Sequence, residues 1–393
     1  MSNPGAIIIT SGLLHEADAK TAHGLIRGTE RFNILAVIDH LNAGRDAGEV
    51  LDGRHRNIPV YPDVQTALDL LATPSAADRS ATSPGSPSAT SLGSASPTAA
   101  SAKAPSAKAA SATATTVEFA IIGVATVGGL LPAPIAATVK DCLRAGISVV
   151  NGLHDYLNDM PEMVGLAKQN NVELIDVRRP KKRQDLHFWS ARIFKVQAPV
   201  IAVIGTDCSV GKRTTCRMVR QTCESAGINA QMIYTGQTGW LQGGKYGFIF
   251  DSTLNDFISG EIEHAIVTCW EETKAQVILV EGQSALRNPS GPCGSEFLVS
   301  GNAKHVILIH APKRKYYDHL PEWGEIHSLR SEINLIRDYG SKVIAIALNT
   351  EHCTDEEAAS FQEQYLLELG IPVLLPLQQG VEPILPIIQS LLQ

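Results

Sequence analysis

Short aliphatic runs alternate with amphipathic stretches from the first residues of this chain. Residues 5–11 are built on an AIII run and residues 33–39 read NILAVID, which predicts two buried strands with a helix over residues 17–27 between them. That is a βαβ unit. The alternation continues with a helix at 64–71, a strand at 119–123 (FAIIG), a helix at 133–145 and a strand at 147–151. A helix running to about residue 170 and a strand at 172–177 complete the set. Such a pattern predicts an open parallel sheet covered by helices, with ligands beyond the carboxyl ends of the strands. Gly128, Gly129, His154 and Asp155 fall there.

The pattern breaks once. Residues 73–116 are almost only Ala, Ser, Thr and Pro, with too little apolar bulk to offset the entropy of ordering them. We expect disorder there, in a long surface loop inside the first domain, because helix and strand on its two sides continue one alternation. Its role is that of an inert spacer.

A second set of strands follows: an apolar run before Gly205, residues 229–233, residues 276–280, and a VILI run between His305 and His310. At 393 residues and 44% hydrophobic content, the chain has material for more than one core at roughly 100 to 200 residues per domain. The expected class is α/β: a Rossmann-like parallel-sheet domain over 1–190, insert included, and a P-loop NTPase-like parallel-sheet domain over 191–393. An aromatic share of 5% suits aliphatic strands covered on both faces.

The strongest chemical signal is residues 200–215, VIAVIGTDCSVGKRTT. A buried strand runs into a loop from Gly205 to Gly211, and Lys212 begins a helix whose free N–H groups and dipole attract phosphate. The phosphate-binding set is Thr206, Asp207, Ser209, Gly211, Lys212, Arg213, Thr214 and Thr215, with Lys212 as a point charge. Against the pattern G-x-x-x-x-G-K-[ST], Thr206 replaces the first glycine and Arg213 replaces the hydroxyl that normally holds magnesium. Either Thr214 or Thr215 takes over that role, or the site depends less on metal than an ATPase does.

A YTGQTGW stretch, residues 234–240, follows a strand, and its glycines let backbone approach a ligand while Gln237 and Thr238 offer hydrogen bonds. Gly236, Gln237 and Thr238 are therefore candidate substrate contacts, together with Gln283 in the turn after the next strand. Glu281 ends another strand and is followed by Gly282 and Gln283. An acid in that place beside a P-loop strand orients magnesium or water, or else caps the loop. His154 follows a strand through Gly152 beside Asp155, which suits a general base. Asp251 and Asp256 are candidates to complete the pocket, whereas His305 and His310 suit core roles. Asp39 ends the second strand where a dinucleotide fold places its ribose acceptor, yet the turn at 11–15 has one glycine and not G-x-G-x-x-G, so a dinucleotide site is weakly supported.

A net charge of −7, with Lys181, Lys182 and Arg183 as a short cluster, argues against nucleic acid as a partner. No apolar run reaches the roughly 18 residues of a membrane span. Seven cysteines, none in a CxxC pair, suit reduced thiols and no metal site. The expected setting is the cytoplasm, the ligand a small molecule, and the assembly a homo-oligomer.

The P-loop spelling Gly205-Thr206-Asp207 ahead of Val210-Gly211-Lys212 resembles that of dethiobiotin synthetase, apart from Arg213. The lysine that marks partitioning ATPases would stand at Asp207, which lowers the case for a dimerising switch. Taken with TGQTGW, the VEGQ segment at 280–283, the GLHDYL turn at 152–157 and the DVRRP run at 176–180, the chain resembles a once uncharacterised family associated with D-glutamate N-acetyltransferase activity. The resemblance spans nearly the whole chain outside the insert. It implies transfer of an acetyl group from acetyl-CoA to the amine of an acidic D-amino acid. On that reading Gly211, Lys212, Arg213 and Thr214 hold phosphates, Arg178 or another cation holds substrate carboxylate, and His154 or Glu281 acts as base. Two other readings stay open: an ATP-dependent ligase of the dethiobiotin-synthetase type using Mg-ATP, and a nucleotide-sensing regulatory protein.

Overall fold

A computed structural model describes residues 3–72 and 116–393. The insert expected to be disordered lies outside the described residues, Thr116 apart. Its neighbours are a helix, α3 (Val64–Ala72), and a strand, β4 (Val117–Ile122), the helix packing against the same sheet that the strand joins.

The first sheet is parallel throughout, in the order β3-β2-β1-β4-β5-β6. Its strands are β1 (Gly5–Ile9), β2 (Asn33–Ile38), β3 (Val60–Tyr61), β4, β5 (Ser148–Asn151) and β6 (Leu174–Asp176). β1 sits at the centre with every residue buried, as its unbroken aliphatic run requires. The helices are α1 (Lys20–Arg27), α2 (Ala47–Asp52), α3, α4 (Ala133–Arg144) and α5 (Pro161–Asn170). The order reverses between β1 and β4, and the crevice at such a reversal is where doubly wound sheets take ligands.

The second sheet is also parallel, in the order β13-β12-β11-β7-β10-β8-β9. Here β7 (Val200–Gly205) lies between β10 (Val277–Glu281) and β11 (His305–His310), while β8 (Ala230–Tyr234) and β9 (Tyr246–Gly247) close one side. β12 (Lys342–Leu348) and β13 (Val373–Leu374) close the other. Helix α6 (Lys212–Ser225) follows the P-loop, α7 is a single turn (Gln237–Leu241), and α8 (Asn255–Thr273) covers one face. The two halves thus have the Rossmann-like and P-loop α/β architectures that the strand pattern implied. All seven cysteines are free, and no helix among the described residues is long and apolar enough to cross a membrane.

The halves are joined through α1. Its C-terminal carbonyls lack helical partners, and Gln242 satisfies two of them, donating from Nε2 to Gly24 O at 2.7 Å and Gly28 O at 3.0 Å. Thr29 Oγ1 donates to Leu241 O at 2.8 Å, and Arg31 Nε donates to Trp240 O at 2.7 Å. The Arg31 guanidinium lies 4.0 Å over the Trp240 ring. Leu241 itself is buried in the core of the first half with Ala22, Leu25 and Ile26.

Asp39, the candidate ribose acceptor, is filled by the protein's own donors. Its carboxylate accepts from Thr10 Oγ1 at 2.7 Å, Gly12 N at 2.8 Å, Leu14 N at 3.0 Å, and the Asn42 backbone and side chain at 3.1 and 2.9 Å. Burial works to raise its pKa, but these hydrogen bonds prevail and hold the carboxyl below its ordinary range. It organises the first βα turn. Asp39→Ala is expected to cost about 2–4 kcal/mol in urea unfolding, because several buried donors lose their acceptor. A depressed carboxyl stabilises the fold above its unfolded pKa and loses that contribution as pH falls through the folded value. The gap between wild type and variant should therefore narrow below about pH 4.

Candidate functional site

The P-loop is held from beneath by a buried charge network. Asp207 is fully buried and accepts from Arg314 Nη1 at 2.9 Å, Asn288 Nδ2 at 2.8 Å and the Asp318 backbone at 2.8 Å. Arg314 also donates to Cys208 O at 2.6 Å and forms a two-pronged pair with Glu351 at 2.7 and 2.8 Å. Thr206 Oγ1 and His310 Nδ1 share a hydrogen bond at 3.0 Å. Burial lowers the His310 pKa to about 4, with Arg314 adding to the shift, so the imidazole is neutral. Thr206 and Asp207, predicted as cofactor contacts, serve the loop itself in this structure. Asp207, Cys208 and Asp318 bring ligand atoms within 4.8 Å of one another, but the Asp207 carboxylate is neutralised by Arg314.

On the other side of the loop the backbone is left-handed at Ser209 (φ 52°) and Gly211 (φ 97°), which turns the chain into α6. Lys212 Nζ donates to Asp207 O at 2.6 Å and Ser284 O at 2.7 Å, leaving one of three ammonium protons for a ligand. Ser209 is exposed, Thr214 is partly exposed and Thr215 is buried.

Arg213 stands where a magnesium-binding hydroxyl would be, and its side chain turns away from solvent. Nη1 lies 4.0 Å from Glu281 Oε1, at the end of the strand next to β7. Glu281 also accepts from the Thr235 backbone at 3.3 Å. Burial raises the Glu281 pKa while Arg213 pulls it back, and burial lowers that of Arg213 while Glu281 opposes. A guanidinium and a carboxylate thus face each other in the position where a P-loop ATPase places metal and its acid. The same guanidinium touches α1: a Cβ on residue 24 would lie 2.8 Å from Arg213 Nη2, so the close approach suits Gly24.

The YTGQTGW stretch, expected as a loop, is a second strand-turn-helix. Gly236 precedes α7, which begins at Gln237. Gln237 and Thr238 are both buried against the first half. Arg178 Nη2 donates to Gln237 Oε1 at 3.0 Å, and Thr238 Oγ1 lies 3.1 Å from Thr21 Oγ1. Gln283 Nε2 donates to Thr235 Oγ1 at 3.0 Å beneath this turn.

Across the cleft, Arg178 Nη2 also pairs with Asp251 at 3.0 Å, and His154 Nε2 lies 3.8 Å from the same carboxylate. Asp251 is in a single helical turn between β9 and α8, whereas Asp256 is exposed at the start of α8. Gly129 accepts from the His154 backbone at 2.8 Å and leaves room for the imidazole. Burial lowers the His154 pKa and Arg178 adds to it, against the opposing pull of Asp251, so the ring is neutral near pH 7. Arg178 is buried, and its Nε has no acceptor among the described residues. Two separate sets of predicted residues thus meet here: His154 and Arg178 from the first half, Gln237 and Thr238 from the second.

Sequence reasoning missed Arg314, Asn288 and Asp318, which carry no motif and lie 81 to 111 positions from Asp207. Their one sequence signal is weak: Arg314 follows the end of β11, and strands beside a P-loop strand place residues at the loop.

The fold is that of an α/β protein with a Rossmann-like N-terminal half and a P-loop C-terminal half, and the candidate residues of both meet at the seam between them. A P-loop domain described as a domain of unknown function, DUF1611, matches residues 187–385, and its Rossmann-like N-terminal companion matches residues 90–180. The chain belongs to the DUF1611 family. It is similar to a protein of a Pseudoalteromonas species named D-glutamate N-acetyltransferase, 29% identical over 67% of this chain and 79% of that one. A protein of the same name from Tritonibacter scottomollicae is 28% identical over 68% and 80%. The crystal structure of a DUF1611 protein from Anabaena variabilis has the same fold, with a TM-score of 0.79 and 23% identity over 99% of this chain and all of that one.

Arg314→Met removes the cation between two carboxylates and is expected to cost about 3–5 kcal/mol in thermal or urea unfolding. A loss under about 1 kcal/mol would show that Asp207 does not depend on Arg314.

Proposed function

We propose that this protein transfers an acetyl group from acetyl-CoA to the amine of an acidic D-amino acid such as D-glutamate. The observation that carries the reading is the Arg213 and Glu281 pair at 4.0 Å in the magnesium position of a P-loop. A loop so built suits phosphates that are held and not hydrolysed, as those of CoA must be. The names of the two relatives, each similar over two thirds of this chain, point to the same reaction.

In this reading the P-loop backbone, Lys212 and Thr214 hold the CoA phosphates. Arg178 receives a substrate carboxylate, for which Gln237 and Asp251 fix its guanidinium. His154, neutral at working pH, takes a proton from the substrate ammonium, and Asp251 steadies the imidazolium. The free amine attacks the thioester carbonyl, a tetrahedral oxyanion forms, and its collapse breaks the C–S bond. The CoA thiolate then takes the proton from His154, and the second proton, left on the new amide nitrogen, passes through the freed imidazole to solvent. No ATP is consumed and the cytoplasm supplies both reactants.

Free CoA is expected to accumulate from acetyl-CoA only when D-glutamate is present, without ATP or magnesium. Release of ADP or phosphate from ATP, with no free thiol, would favour the ligase reading. His154→Gln should lower kcat by about 100- to 10,000-fold. In wild type the rate should rise with pH through a pKa below the ordinary histidine value and then level off. That acid limb should be absent from the variant, and its persistence would assign the base elsewhere.

A further inference from the structure

A cleft of about 320 Å³ opens between the two halves beside the P-loop helix, and its wall is rich in arginine. Arg27, Arg54 and Arg56 come from α1 and the turn after α2, and Arg217 comes from α6. The acids present do not balance them. Arg56 forms a two-pronged pair with Asp52 at 2.6 and 2.9 Å, and Arg27 Nε is 3.7 Å from the same carboxylate. Arg217 reaches Glu30, which lies outside the cleft wall, at 3.1 Å, and Arg220 shares that carboxylate at 3.0 Å while also lying 3.7 Å from Glu224. Arg54 has no acidic partner among the described residues and is exposed. Four guanidinium groups thus line the cleft with one carboxylate, Asp52, on its wall, in a chain whose net charge is −7.

Like charges held together repel, and a bound anion offsets that repulsion. The fork of a guanidinium matches phosphate oxygens in two-pronged geometry. Thr214, two residues past the P-loop lysine, is on the same wall, so a ligand anchored at the P-loop has its next charged group within reach of the cleft.

We propose that this arginine cleft binds the 3′-phosphate on the adenosine end of CoA, which rests on the acetyl-CoA reading above. The cleft then selects CoA over ligands that carry the pyrophosphate alone.

The test is isothermal titration of the full chain with CoA and with 3′-dephospho-CoA. Wild type is expected to bind CoA at least about tenfold more tightly, the contribution of one charge-assisted contact. Arg54→Gln, at an exposed position that the fold does not rely on, should collapse that ratio toward one. Arg144→Gln, an exposed guanidinium outside the cleft, should keep it. Equal affinities in wild type, or an unchanged ratio in Arg54→Gln, would overturn the assignment. Acetyl transfer without any preference for the 3′-phosphate would sink the cleft alone. Preference without transfer would leave the cleft standing and sink the acetyltransferase reading, and absence of CoA binding would remove both.

Discussion

One guanidinium stands where the P-loop helix, its neighbouring strand and the other half of the molecule meet. Arg213 leaves the first turn of the P-loop helix, faces the buried acid at the end of the neighbouring strand, and abuts the glycine on α1 of the other half. Three elements thereby crowd around one side chain: α6, β10 and α1. A buried ion pair is weak evidence for stability, but removing one partner leaves a charge without compensation, so both residues are tied to each other. The pairing also decides chemistry. With Arg213 facing Glu281, protein groups stand where a P-loop ATPase places its metal and acid, and in the proposed function the loop backbone and lysine are left to hold phosphate.

The cleft depends on the seam between the halves. Gln242 caps the carbonyls at the end of α1, Leu241 enters the core of the first half, and the turn that carries both also presents Gln237 and Thr238. Packing and the candidate substrate contacts therefore share one short segment. His154 and Arg178 approach it from the ends of β5 and β6, as an open parallel sheet places its loop residues. Asp251 joins the two and orients the arginine, while burial and Arg178 keep the histidine neutral against its pull.

Much of this was legible in the sequence, for physical reasons. Aliphatic runs such as those of β1, β7 and β10 must be buried, and their position before glycine-rich turns places His154, Lys212 and Glu281 at strand ends. What was not legible required knowing which strands are neighbours. Asp207 looks like part of a phosphate loop until β11 is seen beside β7, bringing Arg314 to its carboxylate. Asp39 looks like a ribose acceptor until Gly12 and Leu14 are seen to claim it. The YTGQTGW stretch reads as a loop because its glycines disfavour a helix, whereas the seam packs Thr238 and Leu241 and fixes one helical turn. The arginine cleft is assembled from residues more than 150 positions apart, beyond any spacing rule.

The central claim is that protein, and not metal, completes the phosphate site at Arg213. CoA binding by the full chain should be measured by titration calorimetry in EDTA and again with excess magnesium. The account predicts the same affinity in both. Binding that appears only with magnesium would contradict it and return the site to the company of P-loop ATPases.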